Sequence, residues 1–390
     1  MSNSKLSTRI VRSGIESDSQ HNAVIPPIYL SSNYAFEEFG KAGKYDYTRS
    51  GNPTRDLLGE ALAELEHGHA AVVTATGMAA VTLVLQLLNP DELLFAPHDC
   101  YGGTYRLLSQ LKLRGIVNGE FHNQQDEAFI ETILSRKPRL VWIETPSNPL
   151  LRITNIARIA EAAHQVGAIV VVDNTFLSPA LQQPLLLGAD IVIHSTTKYI
   201  NGHSDVVGGA VVAKSPEIFE RLKYWANCLG LTASPFDSYL TLRGLRTLKA
   251  RLNLHLANTA AVVELLSEHP AVRKTYYPGL ASHPGHALAA SQQSGFGAML
   301  SFELEDTEAV KAFLANLEFF SLAESLGGVE SLVAHPASMT HAAMDPEARR
   351  IAGISDGLLR LSIGIEDGED LCRAIGTALD AVLALQCEAA

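Results

Sequence analysis

The stretch Ile191-Val192-Ile193-His194-Ser195-Thr196-Thr197-Lys198 is an apolar run that breaks into hydroxyls and ends on a lysine. A second apolar run, Ala168-Ile169-Val170-Val171-Val172, stops at Asp173-Asn174-Thr175, with Asp173 standing 25 residues before that lysine. Unbroken runs of four or five branched apolar residues read as strands buried on both faces, the habit of parallel sheets. If the two are neighbours in one sheet, the Asp173 carboxylate and the Lys198 amine emerge at the same edge. Two strand ends that merely carry polar residues would look alike locally. The rest of the chain has to decide.

Outward from this pair, short apolar runs alternate with longer helical ones. Strands are expected at 93–96, 140–143, 168–172, 191–194 and 206–213, and helices at 78–88, 101–114, 126–136, 156–166 and 216–228. Such alternation makes an α/β fold with a mainly parallel central sheet covered on both faces. Binding groups in such sheets collect beyond the carboxyl ends of the strands, which brings Asn148, Asp173 and Lys198 together. Residues 1–50 read as an arm. Pro26-Pro27 forbids a helix there, and Tyr45-Asp46-Tyr47-Thr48-Arg49-Ser50-Gly51-Asn52-Pro53 reads as extended chain ending in a turn. So much aromatic and charged material outside a core suits a segment that packs on another body. A helix opens near Thr54, with Leu57, Leu58, Leu62 and Leu65 at helical spacing, and begins a main domain over 51–256. Leucine-rich helices to 266, then Pro270 and Tyr277-Pro278-Gly279, lead to strands at 297–304 and 359–365. With helices near 310–317 and from Glu369, these make a smaller α/β domain over 257–390.

The 390 residues are 47% hydrophobic and 18% charged, enough apolar material for two full cores and too much for a disordered chain. A net charge of -12 argues against a nucleic-acid partner, which clustered lysine and arginine would have to attract. Met1-Ser2-Asn3-Ser4-Lys5 leads into no apolar signal region, and no stretch approaches a membrane span, so a soluble, cytoplasmic protein is expected. Cys100, Cys228, Cys372 and Cys387 are scattered and read as free thiols. His67-Gly68-His69 gives no three- or four-ligand spacing, so no metal is expected.

The Asp173–Lys198 pair is what a pyridine-aldehyde cofactor needs: a lysine for the Schiff base, and an acid that keeps the ring nitrogen protonated so the ring accepts electrons. In Thr74-Ala75-Thr76-Gly77-Met78-Ala79-Ala80 a glycine stands where a loop becomes a helix. Free N–H groups there can hold a phosphate, but the dipole contributes only about 0.3–1 kcal/mol, so hydroxyls such as Ser195 and Thr197 must help. Many such glycines only shape a turn. Tyr101 follows a strand end and either stacks on a flat ring or is a half-buried turn tyrosine. Asn148 can bond a ring hydroxyl, or be ordinary turn chemistry before Pro149. Alternation along Leu359-Arg360-Leu361-Ser362-Ile363 puts Arg360 and Ser362 on one face. A buried Arg360 needs an anion, either a substrate α-carboxylate or a structural Asp or Glu. Ser195-x-x-Lys198 formally matches the S-x-x-K of serine penicillin-binding enzymes, but there the serine should open a helix, and here it ends a strand.

Taken together, these residues resemble those of the Cys/Met-metabolism family of pyridoxal-phosphate enzymes. The likeness spans nearly the whole chain: Tyr47-Thr48-Arg49-Ser50-Gly51-Asn52-Pro53-Thr54-Arg55, Gly77-Met78, Asp173-Asn174-Thr175, Ser195-Thr196-Thr197-Lys198-Tyr199 and Ala323-Glu324-Ser325-Leu326-Gly327-Gly328. The resemblance implies an aspartate-aminotransferase-like (fold type I) architecture and pyridoxal 5'-phosphate as cofactor. It implies that Lys198 carries the cofactor, that Asp173 pairs with the pyridine nitrogen and that Tyr101 stacks on the ring. Gly77, Met78, Ser195 and Thr197 would bind phosphate, joined by Tyr47 and Arg49 from a neighbouring subunit. Asn148, Ser325 and Arg360 would hold the cofactor and the substrate carboxylate, with Glu324 beside them. A homo-oligomer with shared sites, a tetramer built of two dimers, follows from the same likeness. Ala96-Pro97-His98-Asp99-Cys100-Tyr101-Gly102-Gly103 and Phe236-Asp237-Ser238-Tyr239 are most similar to bacterial members that join an O-acylated homoserine to cysteine. Members that run γ-elimination, or that use another thiol donor, share the same scaffold.

Overall fold

The computed structural model describes residues 4–342, 344 and 346–389. Seven strands form the first sheet: β1 (Ala70–Thr74), β2 (Leu93–Pro97), β3 (Asn118–His122), β4 (Leu140–Glu144), β5 (Ile169–Asp173), β6 (Ile191–His194) and β7 (Gly209–Ala213). Their order is β1-β7-β6-β5-β4-β2-β3, with only β7 running against the rest. The mainly parallel α/β architecture is as the sequence implies. Its physical basis is visible in the alternation along the strands. Val141, Ile143, Val170, Val172 and Val192 join one apolar cluster. Trp142, Val171, Ile191 and Ile193 join the cluster on the other face. Both faces are buried, so each strand reads as a continuous apolar run.

The sequence reading places neither β1 nor β3. Asn118-Gly119-Glu120-Phe121-His122 has no apolar run, because β3 is an edge strand with a single neighbour. The strand expected from 206 begins only at Gly209. Its first residues form the loop whose Gly208 meets Thr197.

Helix starts follow local chemistry. Asn52 accepts N–H bonds from Thr54 and Arg55 and opens the helix Pro53–Glu66 with proline at its start. Ser215 caps Pro216–Leu229 in the same way, and Gly230 at φ +68° ends it. The helix Leu248–Glu268 runs unbroken into the second half of the chain. Leu248 and Leu252 belong to the first core, while Val262, Val263 and Leu266 belong to the second. The helix thus passes from one core to the other.

The second core lies against a five-stranded sheet of β8 (Lys274–Tyr276), β9 (Met299–Glu303), β10 (Ser321–Leu322), β11 (Leu332–Ala334) and β12 (Leu358–Ser362), in the order β10-β11-β12-β9-β8. The N-terminal segment is not extended throughout. Leu6–Arg12 is a helix whose Ile10 is fully buried in the first core, since Leu6 and Ile10 share one helical face. Beyond it the chain carries exposed apolar side chains, among them Leu30 at 70% exposure and Phe39 with none of its surface covered. No helix among the described residues is long and apolar enough to cross a membrane.

Candidate active site

The parallel strands β2, β4, β5 and β6 all point their carboxyl ends into one cavity of about 390 Å³, which the second sheet closes from the other side. The structure brings together Gly77, Met78, Tyr101, Asn148, Asp173, Ser195, Thr197, Lys198, Glu324, Ser325 and Arg360 on its walls. Tyr47 and Arg49 do not reach it. Arg49 donates to Asn227 Oδ1 at 2.9 Å and lies over the Tyr47 ring, on the outside of its own chain. A larger groove of about 1140 Å³, beside Arg152, Arg158 and Lys274, contains none of the expected site residues.

Lys198 sits just past β6, largely buried, and its Nζ donates to Ser325 Oγ at 2.7 Å. Burial, reinforced by the Arg360 charge and only partly opposed by Glu324, pulls its amine down to about 8. Ser325 has φ +84°, a backbone strain a serine adopts only where its surroundings impose it. Here its carbonyl accepts from Arg360 at 2.8 Å while its hydroxyl meets Lys198. Arg360 is 3% exposed and also donates to Asn148 Oδ1 at 3.0 Å. Its Nε has no partner, and among the described residues no carboxylate pairs with it. The structural-salt-bridge alternative is therefore not realised. Burial pulls the guanidinium down to about 10, the mark of a cation still lacking its anion.

On the opposite wall, Gly77 begins the helix Gly77–Leu85, and Thr76 caps it by accepting from Ala79 N at 2.8 Å. A Cβ on Gly77 would stand 2.8 Å from Ser195 Cβ, so only glycine lets the helix start approach the Ser195 turn. The helix end and the hydroxyl side chain thus face the same space. Thr197 Oγ1 already exchanges hydrogen bonds with Gly208, accepting at 3.0 Å and donating at 3.2 Å. It can donate to a phosphate only by turning away from that carbonyl. Tyr101 caps the helix Gly102–Leu113 without a side-chain bond and leaves 44% of its surface open at the cavity. Asp173 is pushed up by burial against hydrogen bonds from Thr175, one of them N–H to Oδ1 at 3.0 Å. Burial also pushes the neighbouring Cys100 thiol well up, which makes it a poor nucleophile.

The sequence reading gave no role to Glu144, Thr175, Phe176 or Thr340, which also line the cavity. Glu144 had a signal in hand, since it ends a strand as Asp173 does. Thr340 had none, because it comes from a loop nearly 200 residues away in sequence from its neighbour Asn148. Next to it, buried His341 donates from Nε2 to the Asn148 carbonyl at 3.1 Å and is pulled down to about 4, chiefly by burial.

These features test the pyridoxal-phosphate site. There is a glycine-shaped helix start beside hydroxyls, a buried carboxyl one strand from a low-pKa lysine, an open aromatic face, and an arginine lacking its anion. The residues fit the group.

Comparison with known proteins agrees. Residues 7–380 match the family model described as Cys/Met metabolism PLP-dependent enzyme. The chain is 57% identical to the cystathionine gamma-synthase of Escherichia coli K12, over 94% of this chain and 96% of that one. It is 45% identical to the cystathionine gamma-lyase of Bacillus subtilis, over 96% and 99%. The cystathionine gamma synthase of Xanthomonas oryzae pv. oryzae, solved in complex with cystathionine, superposes with a TM-score of 0.96 at 61% identity, covering 98% of this chain and 99% of that one. A match from end to end, laid over a cavity built for this cofactor, makes the chain a member of the Cys/Met-metabolism family of enzymes, with pyridoxal 5'-phosphate as its cofactor.

Proposed function

We propose that the chain catalyses γ-replacement, the reaction of a cystathionine γ-synthase. O-succinyl-L-homoserine and L-cysteine give L-cystathionine and succinate, a transsulfuration step toward methionine. At the substrate, the Cγ–O bond breaks, the Cγ–S bond forms and the thiol proton is lost. The observation that carries an amino-acid substrate is Arg360, buried, without an anion, and joined to both Asn148 and the Ser325 segment that touches Lys198. A substrate α-carboxylate in its fork would supply the missing charge and set the α-carbon near the amine. The greater likeness to the Escherichia coli and Xanthomonas γ-synthases, at 57% and 61%, than to a γ-lyase at 45% or a β-lyase at 44% favours replacement.

When bound, the cofactor supplies an electron sink for charge that develops at the substrate α-carbon. The protein groups do the rest. Asp173 would hold the pyridine nitrogen. The Gly77 and Met78 N–H groups, with Ser195 and Thr197, would hold the phosphate. Tyr101 would cover the ring. Lys198 would hold the cofactor aldehyde and, as a free amine, would take the proton from the substrate Cα and then from Cβ, which a dry pocket beside a second cation permits. Tyr101 assists proton transfer, and Glu324 is the acid on the wall available to a substrate ammonium. Tyr47 and Arg49 would complete the phosphate site of a second copy, giving the exposed apolar segment before them a surface to cover. The assembly proposed is a homotetramer of two dimers.

Two measurements follow. First, the purified holoenzyme is given O-succinylhomoserine with and without cysteine, and separately cystathionine. Thiol-dependent cystathionine formation is expected. Dominant release of cysteine from cystathionine would make the chain a lyase, and equal use of sulfide would make it a sulfhydrylase. Second, only the neutral Lys198 amine can capture the cofactor aldehyde. With its pKa at about 8, the neutral fraction rises about tenfold between pH 7 and 9. Cofactor uptake by the stripped protein, followed by absorbance, should quicken by that factor. A rate that is flat across this range would contradict the assignment.

A further inference from the structure

Asp173 and Ile193 are register partners on adjacent parallel strands, and both line the cavity. Side chains alternate along a strand, so His194 leaves the other face, that of Val192 and the first core. Just past β5, Asn174 N donates to the Ile193 carbonyl at 2.9 Å, which sets Asn174 beside His194. A third segment meets them there. Glu66, the last residue of the helix Pro53–Glu66, brings Oε1 to 2.7 Å from His194 Nε2 and accepts from Asn174 Nδ2 at 2.9 Å. Asn174 also donates to the Gln182 carbonyl at 2.8 Å and accepts from Gln182 Nε2 at 3.0 Å. That Nε2 donates in turn to the Thr145 carbonyl, just past β4, at 3.1 Å. Glu66, His194 and Asn174 have no exposed surface.

This bridge is costly. Among the described residues no lysine or arginine pairs with Glu66, and Glu66 Oε2 and His194 Nδ1 find no partner. An acidic side chain there also stands at the negative end of its helix dipole. Core packing alone would be served as well by two apolar side chains. What the bridge adds is a tie between the ends of β5 and β6, made from behind the sheet at the residues adjoining Asp173 and Ser195. We propose that Glu66 is a positioning residue for the cofactor: by holding Asn174 to His194 it fixes the spacing of Asp173 and Ser195, so that ring nitrogen and phosphate are met together. Glu66 itself touches neither group. The proposal rests on the reading of Asp173 and Ser195 as cofactor-holding residues.

Pyridoxal 5'-phosphate titrated into the full-length chain freed of cofactor, and followed by absorbance, tests it. Glu66→Leu should bind about tenfold more weakly than wild type, the scale on which partners behind a ligand set act at metal sites, while Glu66→Gln, which keeps an acceptor in the bridge, should stay within about threefold. Equal weakening in both variants would make charge rather than the bridge the cause and overturn the proposal, as would unchanged binding in Glu66→Leu. Leu58→Ala, two turns back on the same helix, controls for lost stability: it should melt lower yet bind cofactor as the wild type does. A matching loss of affinity in that control would reduce Glu66 to a structural role. The circular dichroism of the bound cofactor, which reports how the ring is held, should shrink in Glu66→Leu and not in Leu58→Ala. Should Glu66→Leu fail to fold, Glu66→Leu/His194→Leu removes the acid and its partner together and gives the same reading. Asp173→Asn separates the proposal from its premise. Weak binding there with tight binding in Glu66→Leu sinks the proposal alone, whereas tight binding in Asp173→Asn removes Asp173 from the ring nitrogen and the proposal with it.

Discussion

Lys198→Ala is expected to lose at least about a thousandfold in kcat, well within the roughly 10²–10⁴-fold that a single acid–base group contributes. Two losses combine. Among the described residues the cavity wall has no other amine, and the titratable groups facing Lys198 are poor substitutes. The Tyr101 phenol is pushed up, first by burial, so it gives its proton less readily than a free tyrosine. Arg360, even pulled down to about 10, stays a cation at neutral pH. Glu324 stands close enough to raise the lysine, but carboxylates as a class are far weaker bases than amines. The variant should also fail to retain cofactor after borohydride reduction and dialysis, which the wild type should do. The two readouts separate the roles. Retained cofactor with lost turnover would make Lys198 a base only, and activity within a factor of about ten of wild type would remove it from the reaction.

The second large effect is at Arg360. Arg360→Met should lower kcat/KM by about a hundredfold or more, because truncating one partner of a buried, hydrogen-bonded charge pair costs roughly 2–5 kcal/mol. Arg360→Lys keeps the charge but not the planar fork and should fall between. The discriminating readout is stability without substrate. Arg360 carries its charge at 3% exposure with no carboxylate beside it. Replacing the buried cation by an apolar side chain of similar length removes its desolvation cost but leaves Asn148 Oδ1 and the Ser325 carbonyl without their donor, at about 1–3 kcal/mol each. The two effects oppose each other, so the melting temperature of the substrate-free methionine variant should move by only a few degrees while its kcat/KM collapses. A fall of many degrees would return Arg360 to the structural role that the sequence left open.

Most of this site was legible because parallel strands translate sequence into place. A run such as Ile169-Val170-Val171-Val172 can only be a strand buried on both faces, and its polar end must stand at the carboxyl edge with the ends of its neighbours. Asp173, Asn148 and Lys198 were located by that logic, and the cavity contains all three. Glu144 escaped because one carboxylate at a strand end looks like any other until register sets it opposite Asp173. The helix at Leu6–Arg12 escaped because one buried side chain, Ile10, is too short a pattern to read. Strands β10 and β11, of two and three residues, offer no period at all.

By itself, then, the sequence determined the alternation of strands and helices, the amine and acid at the ends of two apolar runs, and the glycine at a helix start. Those depend on local pattern and on a topology with few alternatives. Only the tertiary structure decided which charge lacks a partner and which carboxyl is crowded. Arg360 meets Ser325 and Asn148 across 35 and 212 residues, and whether a buried group finds its counter-ion is fixed by packing between distant segments, which no local spacing encodes.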